Sequence, residues 1–148
     1  YVAKHFQKQL PEHLALDTQV RRHHLVHHGG AKWFELRPDM VVSQRSTDVL
    51  VLDTKWKLLD AGQNNGTNKY GLQQDDFYQL HAYGRSYLGG RGVVALVYPR
   101  TDKLDRPLPV FDFPGSEGLQ LWVLPFCLKQ AEVLLPQGWE WPEDGLAG

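Results

Sequence analysis

The run Val93-Val94-Ala95-Leu96-Val97-Tyr98, closed by Pro99, restricts the fold more than any other stretch of the chain. A strand with one wet face alternates apolar and polar side chains, whereas six apolar residues in succession leave no face for water. Such a strand belongs inside a sheet that is covered on both sides. Two more apolar stretches, Met40-Val41-Val42 and Val49-Leu50-Val51-Leu52, flank the polar turn Gln44-Arg45-Ser46-Thr47. They predict an antiparallel pair over 33–43 and 48–57. Upstream, Leu14, Leu16, Thr18 and Val20 alternate with polar residues and predict a strand over 13–28, with Gly29-Gly30 as the following turn.

Two helices complete the pattern. Residues 2–10 read as a short helix ended by Pro11. Over 72–88, Leu72, Phe77, Leu80, Tyr83, Tyr87 and Leu88 recur at helical spacing until Gly89-Gly90 stops them. Residues 60–71, rich in Gly and Asn, read as a mobile loop. After the Pro-rich stretch 106–109, strands are expected over 110–113 and 119–128, and the tail from 136 onward reads as irregular. The order is α-β-β-β-α-β and then a β addition, an α/β fold. One domain is expected over 1–148, with a core over 1–100 and a C-terminal β extension and tail over 101–148.

Composition limits the function classes. The chain has 148 residues, enough for one substantial core, and 42% of them are hydrophobic. A net charge of −1 counts against a passive DNA-binding module, whose affinity comes from Lys and Arg neutralising phosphates. It counts less against a metal-dependent nuclease, whose acidic site is offset by cations. No apolar run is long enough to span a membrane. The opening residues lack a secretory leader, and the one cysteine, Cys127, has no partner for an internal disulfide and reads as a small core residue. A cytoplasmic protein is therefore expected. The chain opens at Tyr1 rather than Met, so an excised piece or a processed form is expected, the C-terminal part of a longer chain.

The hairpin concentrates the chemistry. A turn centred near Ser46 opposes Asp39 to Asp53, Val41 to Val51, Arg37 to Lys55 and Glu35 to Lys57. A period of two then puts Asp39, Asp53 and Lys55 on one face, with the two carboxylates about 5 Å apart at Cβ. Opposed like charges destabilise a sheet unless something compensates. Mg²⁺, with Mn²⁺ able to substitute, would do so, held by Asp39, Asp53 and the Thr54 carbonyl. Lys55 would neutralise the charge developing on a phosphate. Ordinary surface ion pairs of the two acids with Arg37, Lys55 or Lys57 are the alternative at this point.

Other residues are weighed beside these. Arg21, Arg22, Lys57, Lys69, Arg85 and Arg91 are candidate phosphate contacts, although scattered charges are usually solvated. His23-His24 and His27-His28 form two pairs four residues apart. On a helix such a pair binds zinc, but the alternation here favours a strand and solvated or DNA-facing histidines. Trp33 and Trp56 flank the open end of the hairpin and are expected to pack rather than stack on bases.

Pro38-Asp39 and Asp53-Thr54-Lys55 resemble the motif of the PD-(D/E)xK nuclease superfamily. Longer strings resemble its McrC family, the nuclease subunits of GTP-dependent McrBC systems that restrict methylated DNA: Leu36-Arg37-Pro38-Asp39-Met40-Val41-Val42, Leu52-Asp53-Thr54-Lys55-Trp56-Lys57, Asp76-Phe77-Tyr78-Gln79-Leu80-His81-Ala82-Tyr83, and Val97-Tyr98-Pro99. The resemblance covers about 1–128. It implies a restriction-endonuclease-like core, a mixed sheet flanked by helices, and catalysis by Asp39, Asp53 and Lys55. It also implies support of the site or of DNA by Gln79 and Tyr83, which share a helix face with Asp76; Lys57 and Arg85 join them as candidate contacts. Many relatives take a further acid from the first helix, yet 1–10 contains none. Either that helix is truncated here or two acids suffice; Glu35 shares the Asp39 face and could contribute, but its opposed Lys57 is expected to neutralise it.

The implied partners are double-stranded DNA carrying modified bases, a second nuclease subunit for cutting both strands, and an McrB-like GTPase engaged through a region absent here. No GxxxxGK[ST] occurs, so the chain is not expected to bind nucleotide. Two other readings remain open: a non-catalytic domain that grips DNA and docks a GTPase, and a carboxylate-pair glycosidase. The adjacent Lys55 disfavours the glycosidase, since it would depress the pKa of the acid that must stay protonated.

Overall fold

The computed structural model of the chain describes residues 1–142. Its elements run α1 (Val2–Gln9), β1 (Ala15–Thr18), β2 (His23–His28), β3 (Ala31–Leu36), β4 (Met40–Gln44), β5 (Thr47–Thr54), α2 (Gln74–Leu88), β6 (Gly92–Pro99), β7 (Phe111–Asp112), β8 (Leu119–Cys127) and β9 (Glu132–Val133). One mixed sheet has the order β1-β4-β5-β6-β8-β7, with β9 on β8, and β2 and β3 pair separately. β6 lies between β5 and β8, parallel to both. The continuous apolar run is thus an interior strand, and Val94 through Leu96 and Tyr98 are fully buried.

Each face of the sheet has its own core. Val41, Val51, Val94, Leu96 and Tyr98 point to one side and pack with Leu80, Tyr83 and Tyr87 of α2. Met40, Val42, Leu50, Leu52 and Ala95 point to the other and pack with Val2 and Phe6 of α1. This alternation explains the uninterrupted hydrophobicity of the central strands. α2 ends as its sequence indicates: Gly89 takes a left-handed φ of 70°, and the Gly90 N–H returns to the Gly84 carbonyl at 3.0 Å. Leaving aside the β2–β3 hairpin, the order up to β6 is α-β-β-β-α-β, as expected. The C-terminal strands continue the same sheet through β8.

Several expected elements are divided differently. The strand expected over 13–28 is two: β1 pairs with β4, and the chain leaves the sheet at Gln19, whose φ is 53°, before β2 begins. The strand expected over 33–43 breaks at Arg37-Pro38-Asp39, because proline offers no N–H to a ladder. The pairs Arg37–Lys55 and Glu35–Lys57 therefore do not form. Glu35 belongs to the β2–β3 hairpin, where it meets Arg37 at 3.3 Å, Arg21 at 3.7 Å and His24 at 3.8 Å. Segment 60–71 is not loosely organised: Asp60 and Tyr70 are joined at 3.1 Å, Asn65 caps Thr67 and Asn68, and the Ala61 N–H reaches the Lys103 carbonyl at 2.7 Å. In the tail, Trp139 packs edge-on against Trp122, and Trp141 lies beside Phe6. The end of the tail, 143–148, lies outside the described residues.

The register of β4 on β5 has an unexpected origin. The turn consists of Arg45 and Ser46, both at positive φ, 52° and 66°, between the pair Gln44 and Thr47. A two-residue turn of this kind suits the twist of a hairpin but would oppose Asp39 to Leu52. Between Val42 and Ser43 the register shifts, so that Ser43 faces Asp48 while Val42 faces Leu50, and Val49 is the extra residue. This bulge moves the pairing by one, sets Met40 against Leu52, and brings Asp39 to the level of Asp53.

α2 sits close to β8. A methyl at Gly84 would lie 2.7 and 2.8 Å from the two methyls of Leu119, a side chain buried in the same core. Gly84→Ala should lower unfolding stability by about 1 kcal/mol in urea titrations, because overpacking outweighs the gain of about 1 kcal/mol in helix propensity. In a Leu119→Ala background the sign should reverse. A stabilising Gly84→Ala in the wild-type background would show that the helix is free to move away.

Candidate active site

The carboxyl edge of β5 and β6 and the start of β4 meet at one end of the sheet. β4 begins just after Pro38, so the backbone ladder to β5 stops there and side chains continue it. The Asp39 N–H donates to Asp53 Oδ1 at 2.8 Å. Asp39 Oδ2 in turn accepts the Thr54 N–H at 2.8 Å and the Thr54 hydroxyl at 2.9 Å. The two carboxylates are thereby locked side by side. A shallow cavity of about 210 Å³ adjoins Asp39 and Thr54, walled by Tyr1, Gln19, Met40 and Trp56.

Lys55 projects from the same face as Asp53, towards α2. Its Nζ lies 3.8 Å from Asp53 Oδ2 and 3.4 Å from Asp76 Oδ1, and donates to Gln79 Oε1 at 3.3 Å. Asp76 and Gln79, one turn apart on α2, hold the ammonium between sheet and helix. Asp53 is 5% exposed. Burial pushes its pKa up to about 7; the Asp39 N–H and Lys55 lower it, and the charges of Asp39 and Asp76 add to the rise. Burial, then the charges of Asp53 and Asp39, also push the Tyr83 hydroxyl upward, so it stays protonated. The Tyr98 hydroxyl is buried with no hydrogen-bond partner among the described residues, and burial followed by the charge of Asp76 raises its pKa.

The structure thus brings together Asp39, Asp53, Thr54, Lys55 and Gln79, with Tyr83 buried behind them. Two other residues singled out in the sequence lie apart. Lys57 Nζ donates to the Gly71 carbonyl and ties the exit of β5 to the following loop. Arg85 is exposed, nearly opposite the buried Tyr83 around α2. Asp76 is the site residue that sequence reasoning left without a role, although its place one turn before Gln79 marked the shared helix face. Tyr98 gave no signal of its own, because only the parallel pairing of β5 with β6 brings it to this side.

The oxygen donors Asp39 and Asp53, with the carbonyl of Thr54 directly after Asp53 in sequence, suit a hard cation, which takes one or two carboxylates and keeps waters. Among the described residues no three His, Cys, Asp or Glu side chains form a cage. The histidine pairs lie along β2, where four residues span about 13 Å, too far for one ion. No helix among the described residues is long and apolar enough to cross a membrane.

Comparison with known proteins adds two similarities. The model of the family described as McrBC 5-methylcytosine restriction system component matches residues 1–99, which contain all of these site residues. In fold, the chain is similar to one in the refined half-complex from a tetradecameric assembly of Thermococcus gammatolerans McrB AAA+ hexamers with bound McrC, with a TM-score of 0.56 and 16% identity over 84% of this chain. The match covers 26% of that chain, so the present chain spans about a quarter of its length. Comparison with curated proteins gives no match.

The raised pKa of Asp53 has a consequence for stability. The folded state binds a proton that the unfolded chain has already released, so this contribution is complete below about pH 4 and is lost as pH rises towards 7. Without divalent cations, Asp53→Asn should remove a slope amounting to a few kcal/mol between those limits. Urea titrations of wild type and variant from pH 4 to 8 measure the difference, and parallel profiles would contradict the burial of an ionisable Asp53.

Proposed function

Because this chain belongs to the McrBC 5-methylcytosine restriction system component family, we propose that it is the cleavage domain of an McrC-like subunit, a Mg²⁺-dependent DNA endonuclease of PD-(D/E)xK type. The observation that carries this reading is the buried Asp53 locked beside Asp39, with Lys55 held over the same face by Asp76 and Gln79. Two acids fixed together in a poorly solvated place destabilise the apo fold, and a cation relieves that repulsion.

Asp39 and Asp53 would hold the ion, with the Thr54 carbonyl as a further oxygen ligand. When bound, Mg²⁺ supplies Lewis acidity towards a phosphodiester and lowers the pKa of a water. The residues of the chain do the positioning. Lys55 faces the incoming phosphate and offsets the negative charge that grows on it as water attacks phosphorus and the ester oxygen leaves with a proton. Asp76 and Gln79 fix the direction of the ammonium. A domain that only grips DNA gains nothing from burying Asp53 beside a second acid, so the non-catalytic reading leaves the costliest feature of the site unexplained.

The McrC bound to McrB in the similar structure supports an McrB-like partner for the whole subunit. In this reading that partner is a GTPase, the substrate is modified double-stranded DNA and the place of work is the cytoplasm. Two such domains would be needed to cut both strands, and Mn²⁺ should replace Mg²⁺.

In the complete complex with its GTPase, Asp53→Asn and Lys55→Ala should each lower plasmid cleavage by about 100-fold or more without unfolding the chain. Arg85→Ala should stay within about twofold, since Arg85 faces away from the site. Persistent cleavage in both site variants would remove the mechanism. Calorimetry with Mg²⁺ or Mn²⁺ should give binding that disappears in Asp39→Asn and Asp53→Asn; binding unchanged in both would place the ion elsewhere.

A further inference from the structure

β2 and β3 pair with each other and with no strand of the main sheet. The root of this hairpin is fixed: the Tyr87 hydroxyl donates to the Leu36 carbonyl at 2.8 Å, the His23 ring stands edge-on to Tyr87, and the Arg22 guanidinium lies over the same ring. Beyond the root the hairpin is exposed on both sides. Leu25, Val26, Trp33 and Phe34 all face solvent, Phe34 at 67% and Trp33 at 49%. Phe34 leaves the ladder at a positive φ of 59°, and its ring stands against Trp33, which also touches His28. The expectation that Trp33 packs into the fold is therefore not met.

An isolated two-stranded ribbon is at best marginally stable, and this one carries large apolar side chains outward. Its charges indicate what covers them. Arg21, Arg22, Lys32 and Arg37 stand on or beside the hairpin with His23, His24, His27 and His28, in a chain whose overall charge is −1. Against them are Glu35, shared by Arg21, Arg37 and His24, and Asp48, which holds Arg22 at 3.0 Å. Lys32 and His27 face each other across the outer ladder. The excess is positive and lies on the projecting element.

The hairpin is also continuous with the site. The chain enters it after Gln19, whose N–H donates to the Asp39 carbonyl at 3.1 Å, and leaves it at Leu36, three residues before Asp39. Six-residue strands reach about 20 Å, the length of about six base pairs at 3.4 Å each. A two-stranded ribbon fits the major groove of B-DNA.

We propose that the β2–β3 hairpin is a DNA-binding arm that lies in the major groove of the duplex beside the scissile phosphate. Lys32 and the flanking arginines meet phosphates, while Trp33 and Phe34 cover apolar base and sugar edges. This rests on the nuclease reading for the position of the phosphate, but the arm's affinity is measurable without cleavage.

The test uses the complete subunit with its GTPase partner, in an Asp53→Asn background, and labelled duplexes extending about 4 or about 15 base pairs past the cut. Lys32→Glu and Trp33→Ala/Phe34→Ala should each weaken the longer duplex by about tenfold and leave the shorter one unchanged, and Lys32→Glu should reduce the salt slope by about one. These side chains are exposed, so folding should be retained, and the charge reversal provides a second route if the aromatic variant unfolds. Equal affinity for the longer duplex in both variants would overturn the arm. So would unchanged affinity joined to loss of a second copy or of the GTPase in light scattering, which would assign the surface to protein. If these variants cut DNA normally while Asp53→Asn does not, the arm fails and the nuclease reading stands; if wild type binds through the arm but never cuts, the reverse holds.

Discussion

Everything at the candidate site depends on how two carboxylates replace a missing stretch of backbone ladder. Pro38 ends the pairing of β4, and the next N–H, that of Asp39, finds a side-chain oxygen of Asp53 instead of a carbonyl. The Asp39 carboxylate returns the bond to Thr54 through both its N–H and its hydroxyl. These bonds hold the two acids beside each other at the end of the ladder. Burial of Asp53 is the main cause of its upward pKa shift, and the charge of Asp39 adds to it. A site built this way is set before any ligand arrives, because its acids are also structural acceptors.

The surrounding fold makes that arrangement rigid. α1 and α2 cover opposite faces of the sheet, so the strands under Asp53 are buried on both sides and cannot slip without exposing an entire row of side chains. α2 has a double role: Leu80, Tyr83 and Tyr87 anchor it to the sheet, and from the same helix Asp76 and Gln79 take hold of Lys55. The lysine is thus positioned by two elements far apart in sequence. Tyr87 extends the helix's influence to the β2–β3 hairpin through its bond to Leu36. Cleft and projecting ribbon therefore share one support.

Much of this was legible beforehand. The apolar run at 93–98 required an interior strand, the helical spacing over 72–88 defined α2, and the shared face of Asp39, Asp53 and Lys55 followed from a period of two. The register was inferred correctly from an incorrect centre. The turn lies at Arg45-Ser46, and the extra residue Val49 compensates for the difference. Bulges leave no reliable mark in sequence, because any residue can serve as the unpaired one.

Local alternation and spacing by themselves determined the two helices, the central strands with their apolar faces, and which acids and lysine share a side, since these follow from the periods of the backbone. Tertiary structure alone decided the rest. It sent β2 and β3 out of the sheet, moved Glu35 away from Asp39, joined Asp76 to Lys55 and buried the hydroxyl of Tyr98 at the same end. Each of those outcomes depends on which strand lies beside which, and contacts between distant segments are fixed by packing rather than by any residue's neighbours in the chain.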